Sequence, residues 1–534
     1  MLHPCSATPD IHWPIFHVFG NGTFHTASGI GGAHDVNALF TFRHRWHLMN
    51  QANAPDGGTG WSHFVSDDLV HWQPLTTQLG PAGWDGSLSI VEGTPTILFD
   101  CQSAAHCVGS STHTSDLPVI GVGRPANITD PLLLDWIKDA NNPIQVLNRR
   151  PRYAGPSNLW RGGPQKRWRM VMITGSATGL YESKDDSLHE WTLLNATFYP
   201  ARGGGGGLFH RLPIHTEVNS SSFSSYSTDT TFTVTNASDA PTSRFTHYLQ
   251  TNDPSKGGHA DGRQWFVLGT HDEISTRFEP TSRRLVPLDF SASHVYSTIG
   301  YRDREHPLHV GWIYGGSLNV LSCIREVGYD AGRGLLTALP IKEYDLLRRG
   351  MLAELEAWTE LPKSGAQHVL VSAGAYSVDM ELSIELAKGA GRVEFSLGAL
   401  DMRLVLNVTG GVLSPGHEGD HGDAIVAMQL GNERYSFPVP SSDRLLSVRV
   451  LVDTMVIEAF VGAGRGVASI PLAHAPPLKS QSKIWIAGRS SIRSSDEHSS
   501  SSTGALASPG ASPAPRAVRV KGRVWEMGCG WRLQ

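Results

Sequence analysis

A chain of 534 residues is too long for one ordinary hydrophobic core, so two domains is the natural expectation. With 40% hydrophobic and 17% charged residues it is globular rather than disordered, and 57 glycines and 32 prolines imply many turns. A formal net charge of -5 without any basic run argues against a nucleic-acid partner, and no apolar run reaches the roughly 18 residues that would span a membrane.

The first informative stretch is "GGAHDVNALFTFRHRWHLMNQ", residues 31 to 51. It places Asp35 in a glycine-rich turn before an alternating run of Leu39, Phe40, Phe42, Trp46 and Leu48, the pattern of a half-buried strand. An acid in that place is either a turn residue or a carboxylate at the mouth of a site, and the pattern leaves both open. Short strands rich in aromatic and β-branched residues follow: "GWSHFVSDDLVHW", "SIVEGTPTILFD", "KRWRMVMI" and "RQWFVLGTHD". "SDDLVHW" at 66–72 and "DSLHEW" at 186–191 repeat one theme, a turn followed by a Trp-bearing strand. Such recurring units suggest a β-propeller over residues 1–345, with one large sandwich as the alternative.

Residues 342–358, "KEYDLLRRGMLAELEAW", carry Leu346, Leu347, Met351, Leu352 and Leu355 on a helical stripe, so a linker helix is expected over 346–358. Strands resume over 359–534 ("VDMELSIEL", "MRLVLNV", "SKIWIAG") as a second all-β domain, a β-sandwich. A Ser/Pro/Ala-rich run at 490–515 cannot bury apolar area and reads as a loop.

Cys101 and Cys107 in "CQSAAHC" are close enough to bridge, while Cys5, Cys323 and Cys529 have no evident partner. The absence of CxxC argues against a zinc site, and the histidines crowding the first strands (His34, His44, His47, His63, His71) read as scattered core and surface residues. Neither a metal nor a cofactor is expected. Asn21, Asn127, Asn195, Asn219, Asn236 and Asn407 each open an N-x-S/T sequon, which favours a secreted or vacuolar glycoprotein, although no signal peptide is visible in this chain.

Several of these strings, in order, resemble the motifs of glycoside hydrolase family 32, the invertase and fructanase family. "GAHDVNALF" stands at the family's W-M-N-D-P-N-G, "WHLMNQ" at its Y-H-L-F-Y-Q, "WSHFVSDDLVHW" at its W-G-H-S-V-S-x-D-L-x-x-W and "WDGS" at its F-S-G-S. "LSVRVLVDTMVIEAFVGAGRGVAS" resembles the family's sandwich stretch, where Asp453 and Glu458 match polar edge and turn positions. The resemblance implies an all-β fold, a five-bladed β-propeller followed by a β-sandwich. It also implies retaining cleavage of β-fructofuranosyl linkages, as in sucrose or fructans, by two carboxyls about 5 to 5.5 Å apart. Asp35 matches the nucleophile. Asn37, Gln51, Trp61, Trp84, Asp85 and Arg161 match substrate contacts, Asp85 being equally readable as a turn residue.

Two family carboxylates have no counterpart. Matching R-D-P to Arg161 puts Gly162 at the Asp, and matching W-E-C-P to 204–214 puts Gly207 at the acid/base Glu, inside five consecutive glycines. A displaced acid is then expected at Glu217 or His210. The alternatives are a related propeller glycosidase of altered specificity, or a catalytically inactive secreted sugar-binding protein.

Overall fold

The computed structural model describes residues 15–18, 35–53, 59–75, 85–101, 107, 119–147, 155–174, 177–200, 213–214, 246–252, 264–270, 274, 276–280, 286–291, 294–300, 308–315, 318–330, 333–371, 377–385, 392–399, 402–409, 423–440, 443, 445–454, 456–472, 483–491 and 518–530. The chain divides into two compact units, Met1–Leu347 with Cys529–Gln534, and Arg348–Gly528.

The first unit is a propeller of five antiparallel blades. Blade 1 runs Val36–Phe42, Arg45–Asn53, Thr59–Ser66 and Gln73–Leu75, each strand paired with the next. Its first hairpin turns on Arg43 and His44, both at positive φ (49° and 65°), as a two-residue turn matched to strand twist requires. Blade 2 runs Gly86–Val91, Thr94–Cys101, Val119–Pro125 and Trp136–Lys138, and turns in the same way on Glu92 and Gly93.

Blade 3 runs Trp160–Gly162, Arg167–Thr174, Ala177–Ser183 and Glu190–Pro200, with Gln145–Leu147 added in parallel at its edge. Blade 4 is built on Pro213–Ile214, Thr246–Asn252 and Gln264–Thr270, and blade 5 on His294–Gly300, Leu308–Gly315, Arg325–Asp330 and Leu335–Pro340. The innermost strand of blade 1 lies against those of blades 2 and 5, which closes the ring.

The repeated Trp motif has a specific construction. In "SDDLVHW" and "DSLHEW" the Leu (Leu69, Leu188) takes positive φ, and its carbonyl accepts the indole N–H of the Trp three residues on (Trp72 at 2.9 Å, Trp191 at 2.7 Å). Leu133 and Trp136 in blade 2 repeat this at 2.9 Å, a third copy inside "PLLLDW". Each Leu is completely buried, so the αL strain is offset by burial and by satisfaction of the indole donor.

The second unit is a sandwich of two six-stranded sheets. One sheet is ordered Arg348–Glu360, Arg519–Met527, Val378–Glu385, Leu445–Val452, Val456–Val461, Gly466–Pro471. The other is ordered His368–Val371, Ile484–Ser491, Arg392–Ala399, Met402–Thr409, Ala424–Leu430, Glu433–Val439. Val378, Met380, Leu382 and Ile384 bury one face by strand alternation.

Three sequence expectations are corrected here. Residues 346–358 do not form a helix. A 3₁₀ turn at Lys342–Leu347 ends in the edge strand Arg348–Glu360, which pairs with Arg519–Met527 through three irregularities. Met351 and Leu352, members of the supposed stripe, are exposed. A helix there would leave the edge of Arg519–Met527 without hydrogen bonds, and that demand outweighs local helical propensity. Asp453 and Glu458, expected as polar edge and turn residues, are fully buried, Glu458 accepting from Ser469 Oγ at 3.0 Å. Cys529, which showed no evident partner in the sequence, is disulfide-bonded. It belongs to the propeller unit, where the next residue, Gly530, accepts from Trp72 N and donates to Ile15 O.

Asp379 shows what holds the sandwich together electrostatically. Its fully buried carboxylate accepts from Arg449 (3.1 and 2.8 Å) and from Arg348 (2.9 and 2.7 Å). Asp379→Ala removes the buried anion that both guanidinium groups share and leaves them Glu381 among the described residues, and unfolding by urea should show a loss of about 3 kcal/mol. A loss below about 1 kcal/mol would show that solvent replaces the carboxylate.

Candidate active site

Asp35 immediately precedes the innermost strand of blade 1, and Asp85 immediately precedes that of blade 2. Equivalent ends of adjacent inner strands converge, so the ring brings the two carboxyls together, and their side chains share a hydrogen bond. The Asp35 main chain is held by the Gln51 amide, which donates to its carbonyl at 2.7 Å. Asp35 Oδ1 is buried without a hydrogen-bond partner. Burial first, and the Asp85 charge second, hold the Asp35 carboxyl well above the ordinary carboxylate range; burial pushes Asp85 up to about 6. Two carboxyls sharing a hydrogen bond titrate as a unit, and one proton stays between them over a wide pH range.

Asn37 is the extra residue of a β-bulge: Val36 pairs with Asn50 and Ala38 with Met49, so Asn37 has no opposite number. Bulges re-aim a side chain beside a site, and this one lies two residues from Asp35. Asn50, across the bulge, is clamped by Ser62 Oγ at 3.1 Å and donates to the Gln51 carbonyl at 2.8 Å. Asn37, Gln51 and Asp85 are thus gathered around Asp35 by two strands and a blade junction.

Trp61 is placed differently from the expectation. It is 1% exposed and packs with Phe40, Leu88 and Phe99 in the core between blades 1 and 2. A Cβ on Gly86 would come within 2.6 Å of its ring, so the glycine of "WDGS" makes room for the indole. Trp61 therefore supports the site from behind rather than lining it. Trp84, Glu217, His210 and the glycines at 203–207 lie outside the described residues.

Arg161 is not at the site. It stacks on Trp168 at 4.1 Å and pairs with Glu92 and with Asp186 (2.6 Å) at the hairpin end of the first strands of blades 2 and 3, opposite the end that carries Asp85. Arg161→Ala should leave KM for a sugar substrate unchanged and cost at most about 1 kcal/mol of stability, since exposed ion pairs are weak. A tenfold rise in KM would return it to the site.

The segment that reaches the carboxyls is instead Gly155–Pro156, six residues earlier. The Gly155 amide donates to Asp100 Oδ2 at 3.1 Å. Gly155 has φ of +43°, a conformation that disfavours a side chain, and it precedes Pro156 as the Asp precedes Pro in R-D-P.

Asp100 was missed in the sequence. Its signal was there: counting outward from the Glu92–Gly93 turn pairs Val91 with Thr94 and sets Asp85 opposite Asp100. The Asp100 amide indeed donates to the Asp85 carbonyl at 2.8 Å. The expected bridge between Cys101 and Cys107 is present, with Cα atoms 5.3 Å apart, and it begins at the residue after Asp100.

His47 and His63 form a buried pair, Nδ1 to Nε2 at 2.8 Å, beneath Phe40. Burial pushes His47 down to about 4 and His63 well below the usual imidazole range, so the pair is neutral core.

Residues 25–318 match the sequence profile of the glycosyl hydrolases family 32 N-terminal domain. The chain belongs to this family. It is 24% identical to an acid beta-fructofuranosidase of Solanum lycopersicum over 521 residues, 85% of this chain and 77% of that protein. It is 26% identical over 452 residues to acid beta-fructofuranosidase 1, vacuolar, of a Rosa hybrid cultivar, covering 76% of this chain and 68% of that protein. The crystal structure of fructan 1-exohydrolase IIa from Cichorium intybus superposes with a TM-score of 0.70 over 98% of both chains at 16% identity. At that identity the superposition establishes the fold, a five-bladed propeller with a β-sandwich. The chain is thus a glycosidase-family protein, with the Asp35–Asp85 carboxyl pair at the adjoining ends of two inner strands.

Proposed function

We propose that this family 32 chain cleaves β-fructofuranosyl linkages, as in sucrose or a fructan, with retention of configuration, and that Asp35 attacks the anomeric carbon. The observation that carries this reading is the buried Asp35 carboxyl beside Asp85, on a main chain that the Gln51 amide holds through the Asp35 carbonyl. The fructofuranosidase names of the relatives agree with it. Asn37, Gln51 and Asp85 are the substrate contacts we assign.

A retaining glycosidase needs its second carboxyl about 5 to 5.5 Å from the first, on the other side of the scissile bond. Asp85 shares a hydrogen bond with Asp35 and is too close for that task. The acid/base must come from another part of the chain, and Glu217 is our candidate. Incubation with sucrose, 1-kestose and inulin, followed by ¹H NMR, tests the proposal. The first-formed product should be β-fructofuranose, before mutarotation.

One observation favours a second reading, a sugar-binding protein without turnover: Gly155 stands before Pro156 where R-D-P supplies an acid. Binding of fructosides with no fructose released from any of them would establish that reading instead.

We also propose a secretory or vacuolar location. The Cys101–Cys107 disulfide requires an oxidising compartment, and one relative is named vacuolar. Among the described sequons Asn127 is the best glycan site. It is exposed and its Oδ1 takes both Thr129 donors, whereas Asn195 spends its Nδ2 on the Thr276 carbonyl at 2.8 Å.

A further inference from the structure

A third carboxyl stands beside the Asp35–Asp85 pair. Asp100 lies directly across the blade 2 hairpin from Asp85, so the two side chains leave the sheet on the same face. Ile97, Phe99 and Cys101 on the same strand pack toward blade 1, while Leu98 packs toward blade 3. Asp100 shares the Leu98 face, which is why its Oδ2 meets the Gly155 amide that leads into blade 3. Its Oδ1 is buried and has no hydrogen-bond partner.

The three carboxyls form a row. The Asp85 charge raises both Asp35 and Asp100, and Asp85 stands directly across the hairpin from Asp100. Asp85 is therefore in the middle. No cation among the described residues acts on any of the three. Among the described residues blade 3 offers Asp100 the Gly155 amide, and the main chain offers Asp35 a single hydrogen bond.

On the reading that Asp35 is the nucleophile, we propose that Asp100 is a positioning residue: its ionisation drives the proton shared by Asp35 and Asp85 onto Asp85 and leaves the negative charge on Asp35.

The argument is electrostatic. When the row has lost two of its three protons, the remaining proton has three places to sit. On either end carboxyl it leaves two negative charges on neighbours. In the middle it leaves the charges at the two ends, at the greatest separation, and Coulomb repulsion falls with distance. The middle position also keeps the hydrogen bond, with Asp85 donating to an ionised Asp35, and a charge-assisted bond is the stronger kind. The step balances: Asp100 gives its proton to solvent, the Asp35 proton passes to Asp85 along their shared hydrogen bond, and no other bond changes. Burial and the Asp85 charge hold Asp100 well above the ordinary carboxylate range, so the switch operates at a pH above that of isolated aspartates.

Asp100→Asn tests this. The amide oxygen still accepts from Gly155 and the shape is kept, but position 100 can no longer ionise. A doubly ionised state would now need adjacent charges on Asp35 and Asp85. The limb of the kcat/KM profile that reports ionisation of the nucleophile should move up by about one pH unit, with kcat near neutrality falling about tenfold and KM unchanged. A purely structural role would lower Tm and leave the limb in place, and that outcome overturns the proposal, as does a rise in KM at constant kcat.

A ¹³C NMR titration of aspartate-labelled protein without substrate gives a second readout. In the unmutated protein the Asp35 carboxyl should titrate together with Asp100; in Asp100→Asn it should stay protonated to higher pH. An unmoved Asp35 titration overturns the proposal even if fructosides are never turned over, whereas absence of turnover alone counts against the functional reading of the site.

Discussion

Asp35→Asn should lower kcat/KM on sucrose or 1-kestose by on the order of 10⁴ while leaving the fold intact. The substitution keeps the volume and the hydrogen bond toward Asp85 and removes only the capacity to attack carbon. In a retaining mechanism that removes the covalent step itself, and the remaining groups contribute only binding and orientation. Because burial disfavours charge at this position, the amide should be tolerated at least as well as the acid. Activity should therefore disappear from a protein whose Tm is unchanged or raised. Binding of the substrate, measured calorimetrically, should persist within about tenfold, since Asn37, Gln51 and Asp85 remain. A loss of activity smaller than tenfold would mean that another residue attacks, and Asp35 would then be only the turn acid that its glycine-rich setting also allowed.

Much of this was legible in the residues, and the failures have physical causes. The propeller could be read because its units repeat locally: turn, strand and Trp recur in "SDDLVHW" and "DSLHEW", and each is fixed by contacts within a few residues. That Asp35, Asn37 and Gln51 lie close together was legible for the same reason, since one hairpin and its bulge place all three.

The linker helix failed because the competing partner, Arg519–Met527, lies about 170 residues away in the chain, and no local pattern reports it. Arg161 failed because a lone Arg–Gly pair was matched to R-D-P without knowing which segment enters the ring. The structure shows that Gly155–Pro156 does. Trp61 failed because an aromatic next to a site motif reads alike whether it lines the cavity or braces it, and only the missing Cβ of Gly86 distinguishes the two. Asp100 needed hairpin counting rather than motif matching. A site assembled from two strands of one blade and the entry to the next has no contiguous signature.

Asp85→Asn should stabilise the protein at pH 8 and have no such effect at pH 3.5. Burial raises the folded-state affinity of this carboxyl for a proton, from an ordinary aspartate value near 3.9 to about 6. For a group raised in this way, the stability it contributes is fully present below the unfolded value. It is lost as pH rises through the folded one, because the unfolded chain releases its proton first. A shift of about two units corresponds to on the order of 3 kcal/mol, an upper figure because Asp35 shares the proton and part of the cost. The amide cannot ionise, so it escapes this loss. The Tm difference between Asp85→Asn and the unmutated protein should open between about pH 4 and pH 6 and then level off. A difference that is constant from pH 3.5 to 8 would show that Asp85 is not buried beside a second carboxyl, and would remove the basis for a proton shared with Asp35. The same carboxyls that destabilise the propeller at neutral pH are those assigned to the chemistry. A chain that retains them gives up stability at the end of its inner strands, where fructosyl transfer to Asp35 would take place.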